Sequence, residues 1–62
     1  MFIKTQCLRN PNIVYVNTEL IETMECKETY FIITTSSGEK LTVSKEEGET
    51  ILAQIELNVR EM

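Results

Sequence analysis

The clearest pattern of hydrophobic and polar positions lies in the middle of the chain, at residues 30–43. Two runs rich in Thr, Ile, Val and aromatic residues, which fit a half-buried pleated surface, flank two serines and Gly38. A glycine can take the positive φ that short hairpin loops commonly need. The pattern therefore predicts a β-hairpin with apolar groups on both faces. One face carries Tyr30, Ile32 and Thr34, and the other carries Phe31 and Ile33.

Two further strands are predicted before this hairpin. Residues 2–8 place Ile3, Thr5 and Cys7 on one face. The other face mixes polar and apolar groups, namely Phe2, Lys4, Gln6 and Leu8, and this imperfect pattern suits an edge strand. Residues 13–17 are almost entirely apolar, a pattern typical of a strand buried on both faces. A turn around Pro11 separates the two runs, because proline fixes φ and its flanking asparagines accept turn conformations.

The stretch at residues 17–28 fits two different elements. Its glutamates recur every three residues, and Leu20, Ile21 and Met24 would form a short helical stripe with Asn17 or Thr18 as the cap. A strand over residues 21–26 alternates only imperfectly, with Met24 and Ile21 on opposite faces. We favour a turn at residues 17–20 followed by a strand, and we keep the helix as the alternative.

The C-terminal third of the chain predicts one amphipathic helix. Ser44 and Glu47 have the spacing of a capping box, in which each side chain bonds the backbone N–H of the other. Glycine costs about 1 kcal/mol relative to alanine inside a helix, so Gly48 indicates close packing on a strand or a frayed first turn. The apolar face comprises Gly48, Ile51, Leu52, Ile55, Val59 and Met62.

Together these elements predict one α+β domain over residues 1–62. We expect a small antiparallel β-meander of four or five strands in sequence order, with one C-terminal α-helix packed on a sheet face.

A chain of this length buries only about 60% of its unfolded surface, and a partner would therefore add stability. An open meander leaves two strand edges unpaired, and the apolar runs exceed what one helix covers. We therefore expect a homo-oligomer, with a dimer favoured. The candidate interface residues are those of the first strand together with Val14, Val16, Tyr30 and Leu57.

Composition argues against several kinds of chemistry. The chain has no His and only two Cys, Cys7 and Cys26, which are too few for a structural zinc site. Buried or half-buried thiols in a reducing cytosol account for them better than a disulfide does. The stretch with the periodic glutamates lacks the Asp and Gly of a cation-binding loop, which predicts a solvated face. We expect no cofactor and no enzymatic activity, because no nucleophile–base pair or phosphate-binding loop is present.

Charge is distributed unevenly along the chain. Residues 1–18 carry two basic groups, Lys4 and Arg9, whereas residues 19–62 carry all ten acids against four basic groups, for a net charge of -4. An acidic chain repels phosphate backbones, which disfavours nucleic acid as a partner. No apolar stretch approaches the roughly 20 residues that span a bilayer, and the N-terminus lacks the pattern of a signal peptide. We therefore expect a cytoplasmic protein without membrane insertion.

Several short segments, in order, match the pattern of a known family. They are Val16-Asn17, Leu20-Ile21-Glu22-Thr23-Met24-Glu25, Ile32-Ile33-Thr34-Thr35, Gly38-Glu39-Lys40 and Val43-Ser44. With these segments the chain resembles the FlbD/SwrD family of small bacterial flagellar and swarming-motility accessory proteins. The resemblance implies a non-enzymatic interaction module with a protein partner, and it favours the strand at residues 21–26.

A second likeness keeps an alternative function open. Tyr30, Ile33, Thr35 and Gly38, followed by a helix, are spaced in a way that is similar to LytTR-type DNA-binding domains. The alternative is thus a small β-rich nucleic-acid-binding protein, or a phage or mobile-element protein of the same shape.

Overall fold

The structure, a computed structural model, describes residues 1–9 and 12–61, with side chains described through residue 57 of the last helix. The five strands and the helix are β1 (Phe2–Gln6), β2 (Ile13–Asn17), β3 (Ile21–Cys26), β4 (Tyr30–Thr35), β5 (Lys40–Ser44) and α1 (Lys45–Glu61). The predicted α+β class is confirmed. The predicted turn at Pro11 and the predicted contacts of Val59 and Met62 lie outside the described residues and side chains.

The five strands form two antiparallel sheets. One sheet contains β1 and β2, and the other has the order β3-β4-β5. The predicted single meander is therefore interrupted, because β2 and β3 do not pair with each other. A 3-10 helix, Thr18–Leu20, turns the chain between these two strands. Asn17 caps this turn, because its Oδ1 accepts from the backbone N–H of Glu19 at 3.1 Å.

The two sheets meet through the end of β1 and the middle of β5. Cys7 forms an isolated antiparallel bridge with Val43. The backbone N–H of Leu8 donates to the carbonyl oxygen of Thr42 at 2.9 Å. β5 therefore has β4 on one side and the end of β1 on the other, a long-range pairing that no local pattern predicts.

A small core lies between the three-stranded sheet, the helix and β1. Its buried residues are Phe31, Ile33, Val43 and Ile51. The partly buried side chains packed against them are Ile3, Ile21, Met24, Leu41 and Ile55. The first strand and the helix therefore cover the same face of the sheet, the one that carries Phe31 and Ile33.

The preference for a strand over a helix at residues 21–26 is confirmed, and its imperfect alternation has a structural cause. Ile21 pairs with Thr35 and Thr23 pairs with Thr34, so Glu22 is an extra residue in β3. Such a bulge shifts the alternation by one position. As a result Ile21 and Met24, which simple alternation would place on opposite faces, both pack against the core.

Gly48 marks the closest approach of the helix to the sheet. A Cβ atom at this position would lie 2.8 Å from Cβ of Phe31 and would overlap the aromatic ring. Of the two explanations for a glycine here, close packing of the first helical turn on a strand is the correct one. Ile51, the next residue on this face, is fully buried, whereas Leu52 lies at the exposed margin of the helix.

One half of the predicted capping box is present at the start of α1. The backbone N–H of Glu47 donates to Ser44 Oγ at 3.1 Å. The Glu47 carboxylate, which we expected to accept from the Ser44 backbone, accepts instead from Thr5 Oγ1 at 3.1 Å. None of the helices among the described residues is both long enough and apolar enough to cross a membrane.

Candidate functional site

The hairpin formed by β1 and β2 has one face turned to the core and one turned to water. On the inner face, Val16 is only 4% exposed and Thr5 only 2%. On the outer face, Phe2 is 66% exposed, Tyr15 64% and Ile13 56%. The expectation that residues 13–17 are buried on both faces is therefore wrong. Within the described chain, β2 has a covered side and an open side, because its two-stranded sheet packs on the core through one face alone.

The strand register places the outer side chains next to one another. Met1 accepts a hydrogen bond from the Thr18 backbone N–H at 2.8 Å, which makes Met1 and Thr18 a hydrogen-bonded pair. Because such pairs alternate along an antiparallel ladder, Lys4 and Tyr15 form a non-hydrogen-bonded pair, with Cα atoms about 4.5 Å apart. Lys4 and Tyr15 are thus directly opposite each other on the exposed face of the hairpin.

We call this open surface the hairpin face. It consists of Phe2, Lys4, Gln6, Ile13 and Tyr15. Three of these five are large apolar or aromatic side chains, and Lys4 is the only charged one. The acids of the chain all come after residue 18, so the hairpin face combines apolar area with a single positive charge.

The four interface residues predicted from the sequence occupy three different elements. Val16 is buried inside the monomer, so it adds no exposed apolar surface for a second molecule to cover, and its role as a contact residue stays a prediction. Val14 and Tyr30 are half-buried. Leu57 is 50% exposed on α1, where it stays a candidate contact.

The residues that the sequence reasoning missed are Ile13 and Tyr15. They lie on the same strand as Val14 and Val16 but point the opposite way. The signal that would have found them is on the neighbouring strand. Gln6 and Lys4, which are polar, pair with Ile13 and Tyr15, so the face they share must be the one turned to water.

Two shallow grooves lie beside β2. One, of about 210 Å³, is lined by residues 14–17 of β2 and by Leu20, Thr35, Ser37, Glu39 and Leu41. Because the side chains of a strand alternate, four consecutive residues along one groove indicate that it follows the backbone edge of β2. The other groove, of about 450 Å³, includes Cys7, Val14 and Ile32, so the N-terminal strands reach the margin of the second face of the large sheet.

The described cysteine and glutamate side chains do not add a further site. Both thiols are free, as expected, but Cys26 is exposed, so the expectation that both are buried or half-buried is wrong for it. The recurring glutamates are all exposed, which confirms the predicted solvated face; they are Glu19, Glu22, Glu25 and Glu28. Among the described residues, no group of three or more His, Cys, Asp or Glu side chains is placed to hold a metal ion.

One ion pair lies at the end of β3. Lys27 Nζ lies 2.5 Å from Glu25 Oε2, and both side chains are well exposed. The hydrogen bond from Lys27, and then its charge, lower the pKa of Glu25 below its ordinary value. The same two effects of Glu25 raise the pKa of Lys27. Water screens such an exposed pair, so the pair contributes little to the stability of the fold.

Comparison with known proteins adds no relative. No protein-family model matches the chain, and neither the curated proteins nor the solved structures give a significant match. The functional argument therefore starts from the hairpin face itself.

Proposed function

We propose that this protein is a small, non-enzymatic interaction module that binds another protein through the hairpin face. The observation that carries the proposal is the joint exposure of Phe2, Ile13 and Tyr15 on one side of a two-stranded sheet. Clustered exposed apolar groups mark interaction sites in soluble domains. Aromatic residues are enriched at such sites, because they bury a large area with little loss of side-chain freedom.

The charge of the face favours particular partners. Lys4 stands among apolar groups, directly opposite Tyr15. A partner with an apolar patch and a carboxylate near Lys4 would satisfy both features. Charge pairs of this kind contribute mainly to the choice of partner and to the association rate.

One proposed partner is a second copy of the chain, giving a homo-oligomer with a dimer favoured. A domain of 62 residues has a marginal core, and self-association through a strand edge or an open sheet face buries surface that the monomer leaves exposed. Sedimentation equilibrium at micromolar concentration tests this. A dimer would support the proposal, and a monomer at every concentration would leave only a different protein as the partner.

The resemblance to FlbD/SwrD proteins supports a more specific role, in which the module acts from the cytosol on a motility machine. Deletion of the gene in a flagellated host should reduce swimming or swarming. Complementation with Tyr15→Ser should fail, whereas Glu49→Ser, at an exposed site on α1 away from the hairpin face, should restore motility. Unchanged motility in the deletion strain would contradict this role.

A second candidate function, binding of single-stranded nucleic acid, is favoured by one observation. The exposed rings of Phe2 and Tyr15 lie on the same face as Lys4, and bases stack on such aromatic platforms. The net charge of -4 opposes it. Fluorescence anisotropy with labelled single-stranded DNA and RNA oligomers at low and at 200 mM salt would decide. Salt-dependent binding that is lost in Tyr15→Ser would support this function.

A further inference from the structure

We propose that two copies of this chain pair antiparallel through the outer edges of their β2 strands, with Tyr15 opposite Tyr15 of the second copy. The inference rests on the proposed self-association and names the strand, the register and the partner. It starts from a comparison of the two outermost strands, β2 and β3, each of which pairs with a single neighbour within residues 1–9 and 12–61.

The outer edge of β3 is poorly suited to self-pairing. It contains a bulge at Glu22, and bulges and charges are the devices by which proteins protect strand edges. If two β3 strands overlapped fully in antiparallel register, Glu22 of each copy would face Glu25 of the other. Two such like-charge pairs would oppose association.

The strand β2 itself has neither a bulge nor a charge, and Glu39 is the one charged residue among the described residues that line the groove along its edge. The sequence of β2, Ile-Val-Tyr-Val-Asn, contains no charged residue and no proline. Its register with β1 runs without a shift from Ile13 to Asn17. Full antiparallel overlap with a second β2 therefore opposes no like charges, and it places Tyr15 on the two-fold axis.

The backbone groups of β2 are directed to suit this register. The hydrogen bond from the Thr18 N–H to Met1 fixes which residues of β2 point toward β1. By alternation, the N–H and C=O groups of Ile13 and Tyr15 and the N–H of Asn17 point to the outer edge, whereas the Asn17 carbonyl, at the N-cap of the 3-10 helix, accepts the first bond of that helix. In the proposed pairing, Tyr15 faces itself and makes two hydrogen bonds, and each Ile13 carbonyl accepts from the Asn17 N–H of the other copy, which gives about four hydrogen bonds in all.

The pairing also doubles the hairpin face. Side chains directly opposite each other in a sheet point to the same side, so both Tyr15 rings lie on the outer surface of the four-stranded sheet. The order of that sheet is β1-β2-β2-β1, with the two β2 strands at its centre. The enlarged surface would carry both copies of Phe2, Ile13 and Tyr15. The two Lys4 side chains would be the charged groups among the residues of the doubled hairpin face.

Engineered disulfides test the strand and the register together. In a background with Cys7→Ser and Cys26→Ser, the variants to compare are Tyr15→Cys and Lys4→Cys, which lie on the same face but on adjacent strands. In the proposed dimer, the two residues at position 15 have Cα atoms about 5.5 Å apart, which a disulfide spans. The two residues at position 4 are three strand spacings, or about 14 Å, apart, which it does not span.

Mild oxidation should therefore convert most of the Tyr15→Cys protein to a covalent dimer, and should leave Lys4→Cys monomeric on a non-reducing gel. Circular dichroism and sedimentation of the reduced proteins check that both variants fold and associate as the parent does. Equal cross-linking of both variants would indicate stacked hairpin faces and would overturn the inference. A reduced dimer in which position 15 does not cross-link would also overturn it, while leaving the proposed self-association intact. A chain that is monomeric at all concentrations would overturn both.

Discussion

Thr5 Oγ1 donates a hydrogen bond to Glu47 Oε2 across 3.1 Å, and this bond joins β1 to the first turn of α1. Thr5 is almost fully buried, and Glu47 is the residue whose backbone N–H is capped by Ser44. The start of the helix is thus fixed to the chain before it through Ser44 and to the N-terminal hairpin through Thr5. The bond helps hold the hairpin in the orientation that leaves its outer face open.

Replacement of Thr5 by Val tests the contribution of this bond. Val keeps the shape of Thr but cannot donate, and a hydrogen bond to a charged group contributes about 1.5–3 kcal/mol to stability. We expect Thr5→Val to lower the free energy of unfolding by about that amount, measured by urea denaturation. Thr23→Val, an exposed threonine on β3, is the matched control and should change stability by less than about 0.5 kcal/mol. Equal effects of the two substitutions would contradict the role of Thr5.

Gly48→Ala separates packing from helix propensity. Propensity alone would stabilise the helix by about 1 kcal/mol, but the added methyl group overlaps the Phe31 ring. We expect a net loss of at least about 1 kcal/mol in the free energy of unfolding, since overpacking costs about 1–3 kcal/mol. The double variant Gly48→Ala/Phe31→Leu should lose less free energy of unfolding than the sum of the losses of the two single variants. A Gly48→Ala protein that is more stable than the parent would exclude the close approach.

Alanine substitutions on the apolar face of the sheet and helix should lower stability more, the more deeply the replaced side chain is buried. Ile33→Ala removes a fully buried side chain, so we expect a loss of about 2–5 kcal/mol, which is most of the stability of a small domain. Ile55→Ala, at a half-buried position, should cost less, and Leu52→Ala, at the exposed margin, less again. Thermal melts followed by circular dichroism rank the three variants. An Ile33→Ala protein that melts like the parent would contradict the packing described here.

The pH dependence of the Glu25–Lys27 pair has a definite sign. Because Lys27 lowers the pKa of Glu25 in the folded protein, the pair stabilises the fold above the ordinary glutamate pKa. That contribution is lost as the pH falls through the lowered pKa of the folded state. We expect Lys27→Gln, or 1 M salt in the parent, to raise the Glu25 pKa toward its ordinary value in an NMR titration. An unchanged pKa in both cases would show that the pair does not persist in solution.

Much of the fold follows from local patterns in the sequence. The central hairpin was predicted from Gly38 and its flanking strands, and Gly38 has the expected positive φ of 87°. The helix start was predicted from Ser44, which does cap it. These features depend on neighbouring residues, so a linear pattern contains the information that specifies them.

The way in which the strands are placed relative to one another could not be predicted in this way. It depends on the bridge between Cys7 and Val43, two residues far apart in the chain, and on the bulge at Glu22, which breaks the alternation of β3. The open face of β2 was missed for a related reason. An apolar run is typical of a buried strand, and only its pairing with Lys4 and Gln6 shows which side meets water.

Sedimentation equilibrium of charge-substituted Tyr15 variants tests the central claim, that copies of this protein meet at the hairpin, most directly. Tyr15 is exposed, so Tyr15→Lys and Tyr15→Glu should leave the fold intact, as circular dichroism can verify. In the proposed register each substituted residue faces its own copy, so like charges should keep each variant monomeric, whereas an equal mixture should form a dimer through opposite charges. We predict a dimer for the parent, monomers for each variant alone and a dimer for the mixture. A parent protein that sediments as a 7.2 kDa monomer at all concentrations, or variants that dimerise as the parent does, would contradict the account.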